Sequence, residues 1–329
     1  MSGMFDRINR KIEYLRISVT DRCNLRCVYC MPAEGIPVLK HEDVLSYEEV
    51  LRIVRVAARA GIRKIRLTGG EPLVRKGITG LIREISAVPG IDDLSLTTNG
   101  LLLGKMAHEL ADAGLKRINI SLDSLNPEKF SELTRGAELG AVLEGIEKAE
   151  AAGFSPIKIN AVMIKGLNSG EAADFARLTL SKPYHVRFIE FMPIGAREMW
   201  DESRVVTAQE IKEDIRRLGV LEPVEKNGGD GPAELYRLPG AKGFLGFISP
   251  LSRHFCGGCN RLRLTADGKF RPCLFSESEI DVKTAVRTGC DDREITRLID
   301  LALSIKPDGH GVAEGVKKKY QRTMSRIGG

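Results

Sequence analysis

EYLRISVTDRCNLRCVYCMP, residues 13–32, begins as a strand and ends as a cysteine loop. Leu15, Ile17 and Val19 alternate with Arg16, Ser18 and Thr20, the period-2 pattern of a strand with one apolar face. Working outward, similar β-branched segments recur at 64–70, 94–100, 117–124, 157–163 and 186–192. Between them lie amphipathic stretches such as 46–61 and 100–114, each ending in glycine as helices do. Six βα units in a row predict a parallel sheet with right-handed crossovers, wound as a barrel or as an open doubly wound sheet. Six units are too few for a complete eight-stranded barrel.

A parallel strand buried on both faces is apolar throughout, yet these strands alternate. Arg66 and Thr68 oppose Ile65 and Leu67, and the polar parity continues through Ser95, Thr97 and Asn99, then Asn119, Ser121 and Asp123, then Lys158 and Asn160. With helices covering the apolar parity, the polar one is expected to line a hydrophilic cavity. After the sixth strand, Gly- and Pro-rich residues 224–243 predict loop or hairpin connections. The expected division is 1–222 for the βα units and 223–329 for a second region with a hairpin at Ala266–Lys269, two helices and a basic tail ending in Gly328-Gly329.

Apolar residues make up 43% of the 329, and no run of eighteen apolar residues occurs, which excludes a hydrophobic membrane span. The charged opening residues lack a secretory h-region, so a cytoplasmic location is expected. A net charge of +6 is too small to demand nucleic acid and equally suits an anionic small molecule. The five histidines, at 41, 108, 185, 254 and 310, form no HExxH or triad-like grouping.

Seven cysteines, bunched rather than dispersed, point to metal ligation rather than to disulfides. Cys23, Cys27 and Cys30 follow the first strand, at the carboxyl end of the sheet where α/β proteins bind ligands. Structural zinc takes four ligands, and no histidine or fourth cysteine stands beside these three. An iron–sulfur cube held by three thiolates keeps one iron open for another ligand. Gly69-Gly70-Glu71-Pro72 closes the second strand, its glycines allowing close backbone approach. A second set, Cys256, Cys259 and Cys273, again has three members; Cys290 would complete a zinc ribbon or is a buried thiol. Between them Arg261 and Arg263 share one strand face, and with Arg16, Arg66 and Lys158 they make five cations, about the number a triphosphate needs.

CxxxCxxC with Tyr29 before the last cysteine, and GGEP after the second strand, resemble the radical S-adenosylmethionine enzymes. The CGGCNRLRLTADGKFRPCLF stretch and the Gly-Gly tail resemble, within that family, the enzymes that begin molybdenum cofactor biosynthesis by cyclising GTP. The resemblance implies an incomplete (βα)6 barrel with a C-terminal extension carrying a second cluster, hence two [4Fe–4S] clusters on Cys23, Cys27, Cys30 and on Cys256, Cys259, Cys273. It implies S-adenosylmethionine contacts at Tyr29, Gly70, Ser121 and Met192. GTP contacts are implied at Arg16, Arg66, Thr97, Lys158, Arg261, Leu262 and Arg263, with Leu262 offering only its backbone. Arg261, Arg263, Gly328 and Gly329 are the implied catalytic group. A low-potential electron donor, a downstream cyclic pyranopterin monophosphate synthase and a homodimer are the implied partners. Two other readings use the same residues. One is a peptide-modifying relative with an auxiliary cluster, for which four C-terminal cysteines are few. The other is a zinc-stabilised nucleic-acid-binding protein using Lys317, Lys318 and Lys319, for which 5% aromatic content is poor.

Overall fold

The computed structural model describes residues 3–195, 200–225, 231–310 and 322–328. The six expected units are present as β1 (Tyr14–Ser18), α1 (Tyr47–Ala60), β2 (Lys64–Thr68), α2 (Ile78–Ser86), β3 (Asp93–Thr98), α3 (Leu103–Asp112), β4 (Arg117–Ser121), α4 (Pro127–Thr134), α5 (Leu139–Ala151), β5 (Lys158–Met163), α6 (Ala172–Ser181), β6 (His185–Glu190) and α7 (Ala208–Arg216). Local chemistry sets their ends. Ser46 and Glu49 form a reciprocal capping box at the start of α1, as Thr207 and Glu210 do for α7. Gly61, at φ +124°, ends α1 in a conformation that L side chains resist.

The remaining strands are β7 (Glu222–Val224), β8 (Glu234–Arg237), β9 (Phe244–Ile248), β10 (Arg261–Leu264), β11 (Lys269–Arg271) and β12 (Ile280–Asp281), followed by α8 (Lys283–Arg287), α9 (Asp292–Ser304) and the single turn α10 (Met324–Ile327). They do not form a sheet of their own. β9 pairs parallel with β6, and β10 pairs parallel with β1. One twelve-stranded sheet results, ordered β12-β11-β10-β1-β2-β3-β4-β5-β6-β9-β8-β7. Its eight central strands are parallel, and the outer hairpins are antiparallel. Among the described residues β9 and β10 do not pair, so the barrel stays open.

Side-chain parity decides which face is packed. Leu15, Ile17, Ile65, Leu67, Leu94 and Leu96 are fully or almost fully buried in the apolar core that the helices cover, joined by Val50, Ile53 and Val54 of α1. The opposite parity from all eight parallel strands lines one cavity of about 660 Å³, a size suited to small-molecule ligands. The sheet therefore curls around a polar interior. Among the described residues no helix is long and apolar enough to cross a membrane.

Candidate active site

The first cysteine loop leaves β1 and bends so that Cys23, Cys27 and Cys30 all line the cavity. Its shape rests on close backbone packing. A Cβ at Gly70 would lie 2.3 Å from the Arg22 carbonyl oxygen, and one at Gly69 2.6 Å from that of Thr20. The Gly70 and Glu71 amides donate to the Thr20 and Arg22 carbonyls at 2.8 Å. On the other side, Gly195 at φ +130° would place a Cβ 2.3 Å from the Tyr29 carbonyl oxygen. Glycine is required at these crossings because backbone, unlike a side-chain end, cannot step aside. The Glu71 carboxylate accepts from Leu73 N, Thr98 Oγ1 and Asn99 N, tying the end of β2 to that of β3, while burial pushes its carboxyl up to about 7. Tyr29 donates its hydroxyl to Asp123 at 2.6 Å, and burial raises Asp123 to about 6. Burial also raises the three thiols, Cys30 to about 12.

The second loop is assembled from two segments. Cys256 and Cys259 lie on the tight turn before β10, Cys273 follows β11, and all three line the same cavity. Lys306, 2% exposed, holds the segments together. Its ammonium donates to the Arg261 carbonyl at 2.8 Å and the Pro272 carbonyl at 2.7 Å, and stands 3.7 Å from Cys259 Sγ. Arg10 donates to the Cys256 carbonyl at 2.8 Å. Burial opposes the Cys259 thiolate, but Arg261 and Lys306 prevail and draw its pKa down to about 6. Cys290 does not line the cavity; it is half-buried against the main apolar core.

Between the loops runs a row of guanidiniums. Register pairs Arg263 of β10 with Arg16 of β1, and Arg16 with Arg66 of β2, so three arginines stand side by side facing inward. Neighbouring strands are about 4.8 Å apart, so the charges repel. Burial, then Arg263 and Arg66, push Arg16 well down; burial, then Arg261, lower Arg263 to about 10. Lys158 and Arg261 also line the cavity, as do Lys64, Arg117 and Arg187, which the sequence reading passed over. Arg187 shares the inward parity of β6 with Ile189, and Lys64 that of Arg66, so the same rule would have found them. Among the described residues, eight lining cations stand against two lining carboxylates, Glu71 and Asp123. The buried Tyr14 hydroxyl, Thr97 Oγ1 and Asn160 Oδ1 have no hydrogen-bond partner among the described residues, leaving polar atoms aimed at a ligand.

The tail enters this space. Arg263 donates to the carbonyls of Ile327 and Gly328. Gly328, at φ +74°, leaves a Cβ only 2.6 Å of room from Thr68 Oγ1. Ile327 packs on Ile194 and Phe275, with Met192 and Cys273 beside it. The Ser325 amide donates to the Cys30 sulfur, so the tail touches both cysteine loops.

Tyr29, Gly70, Ser121 and Met192 line the cavity with the first loop, and Arg16, Arg66, Thr97, Lys158, Arg261 and Arg263 line it as well. Leu262 is buried in the core beside Leu15 and turns its side chain away. Gly329 and Lys317–Lys319 lie outside the described residues. His254 and His310, far apart in sequence, meet with ring nitrogens 3.0 Å apart, and His310 lines the cavity, so these two are not scattered in space. Two triads of thiols facing one cavity, with Cys290 elsewhere, fit two clusters each held by three cysteines.

Residues 17–179 match the Radical SAM superfamily, and residues 184–312 match Molybdenum Cofactor Synthesis C. The chain is 53% identical to the GTP 3′,8-cyclase of Pelotomaculum thermopropionicum and 50% identical to that of Moorella thermoacetica, covering 99% of this chain and 100% of each relative. Among solved structures, Streptococcus suis SuiB superposes with a TM-score of 0.62 at 15% identity, over 92% of this chain and 68% of that one, a likeness of fold alone. The parity-lined cavity, the paired thiol triads and this full-length identity together make the chain a member of the GTP 3′,8-cyclase family of radical S-adenosylmethionine enzymes.

Proposed function

We propose that this chain converts GTP into (8S)-3′,8-cyclo-7,8-dihydroguanosine 5′-triphosphate, early in molybdenum cofactor biosynthesis. It is a radical S-adenosylmethionine enzyme, with one [4Fe–4S] cluster on Cys23, Cys27 and Cys30. A second cluster, on Cys256, Cys259 and Cys273, belongs to the proposal. The observation that carries it is that both triads and the row Arg263–Arg16–Arg66 face a single cavity. A cluster held by Cys23, Cys27 and Cys30 would supply one electron for reductive cleavage of S-adenosylmethionine to methionine and a 5′-deoxyadenosyl radical, the species that would take the 3′ hydrogen of GTP.

The chain's own residues bind, orient and shield. Tyr29, Gly70, Ser121 and Met192 hold S-adenosylmethionine against the first loop. Arg16, Arg66, Thr97, Lys158, Arg261 and Arg263, with the Leu262 backbone, hold GTP, and an incoming triphosphate relieves the mutual repulsion of the guanidiniums. Arg261 and Arg263 orient the nucleotide, Gly328 closes the space without a side chain that would compete for it, and Gly329 completes the proposed catalytic group. In this reading 1–222 carries radical formation and the Arg16, Arg66, Thr97 and Lys158 part of the GTP site, and 223–329 carries the second cluster, Arg261, Arg263 and the Gly-Gly tail. In this reading the enzyme works in the cytoplasm with a low-potential electron donor, a second copy of itself and the cyclic pyranopterin monophosphate synthase that consumes its product.

The test is anaerobic reconstitution followed by incubation with GTP, S-adenosylmethionine and a low-potential reductant. Expected are about eight iron and eight sulfide per chain and a cyclised triphosphate by mass spectrometry. Stoichiometric zinc without iron, or 5′-deoxyadenosine with GTP unchanged, would overturn the reading.

A further inference from the structure

The described chain resumes at Arg322, six residues before Gly328, and Arg322 is gripped at once. Its guanidinium donates to both carboxylate oxygens of Asp267, at 2.9 and 2.8 Å, and to Glu279 at 2.6 Å. Asp267 lies in the turn between β10 and β11, and Glu279 just before β12, so the grip is on the hairpin that leads into Cys273. Glu279 is itself held at 2.8 Å by Arg271, whose side chain is 1% exposed. All three side chains of the Arg322 grip are less than one-fifth exposed, where water screens an ion pair poorly. Downstream, Arg263 takes the Ile327 and Gly328 carbonyls and Ile327 fills an apolar slot. The tail is thus held by a charge pair at its start and by Arg263 at its end, with Arg326 on the Pro37 carbonyl and the Ser325 amide on Cys30 between them.

We infer that Arg322, through Asp267 and Glu279, is a positioning residue that sets the register in which the tail enters the cavity. Two carboxylates on a rigid hairpin define where residue 322 sits, and one turn of helix from there brings Gly328 to Arg263 and to the Thr68 wall. Without the upstream pin the six following residues keep the Arg263 bonds to two carbonyls, the Arg326 bond to the Pro37 carbonyl, the Ser325 amide on Cys30 and the apolar contacts of Met324 and Ile327, none of which is a charge pair, and the tail samples other registers. The role in turnover rests on the proposed cyclisation; the pinning itself does not.

The experiment reads both separately. Arg322→Gln in the reconstituted holoenzyme is expected to speed hydrogen exchange over residues 322–328 about tenfold and to lower cyclised product about tenfold, with the melting temperature of the rest held. The charge swap Arg322→Asp with Asp267→Arg, made together with Glu279→Gln so that no carboxylate faces the new Asp, is expected to restore both, which a role in packing alone would not do. Asp267→Asn, at a turn, gives the same readouts should Arg322→Gln fold poorly. Unchanged exchange in both single variants, or a folded swap that restores neither readout, would overturn the inference. Faster exchange with undiminished product would overturn the positioning role. Wild-type protein that makes no cyclised product would sink the functional reading, while its exchange pattern would still decide the pin.

Discussion

The two cysteine loops face one cavity but are built on opposite terms. The first is eight residues of continuous chain at one strand end, shaped by glycines at backbone crossings and neighboured by the carboxylates Glu71 and Asp123. The second joins segments from either side of a hairpin and is bound by the cations Lys306, Arg10 and Arg261. One thiol diverges from the rest: burial lifts Cys30 to about 12 and raises Cys256 of the second loop as well, whereas Arg261 and Lys306 bring Cys259 down to about 6. The same ligand type is thus supported sterically at one end and electrostatically at the other, and the two ends are expected to fail differently.

The widest separation is expected from the thiols. Cys27→Ala is expected to bring 5′-deoxyadenosine formation to background, whereas Cys259→Ala abolishes cyclised product and leaves 5′-deoxyadenosine measurable by chromatography. Each is expected to retain about four iron per chain. Equal loss of 5′-deoxyadenosine in both would break the division of labour.

The supports come next. Gly70→Ala drives a Cβ into the Arg22 carbonyl and is expected to cost about 3 kcal/mol in denaturant unfolding of the apo-protein, with iron lost from the first loop. Lys306→Met leaves the Arg261 and Pro272 carbonyls without their ammonium and is expected to cost about 2 kcal/mol, with iron lost from the second. Loss from the other loop in either variant would contradict the distinction.

The smallest effect has an unusual sign. Arg16→Met removes the central guanidinium of three adjacent ones, so the ligand-free protein is expected to gain about 1 kcal/mol while GTP binds about tenfold more weakly. Calorimetry and a melt measure the two, and destabilisation of the ligand-free protein would show that repulsion in that row is unimportant.

Much of the cavity was legible because strand parity is a local property. Arg16, Arg66, Thr97 and Lys158 could be directed inward from their neighbours alone, and Arg187 obeys the same rule although it went unread. Lys306 gave no such signal: it lies just beyond α9, with no motif around it, and its partners are carbonyls of β10 and of the turn after β11. The Arg322 grip was hidden for a similar reason, since an arginine in a basic tail looks like any solvated cation.

The sequence by itself determined the six βα units, the two thiol triads and the polar parity, because hydrophobic period and ligand spacing are written within a few consecutive residues. Only the tertiary structure decided that β9 and β10 extend the two edges of that sheet and so bring Arg263 beside Arg16. Strand pairing is made by backbone hydrogen bonds that every residue except proline can offer. The choice of partner across more than two hundred residues therefore falls to burial of the open sheet edges, which no local pattern records.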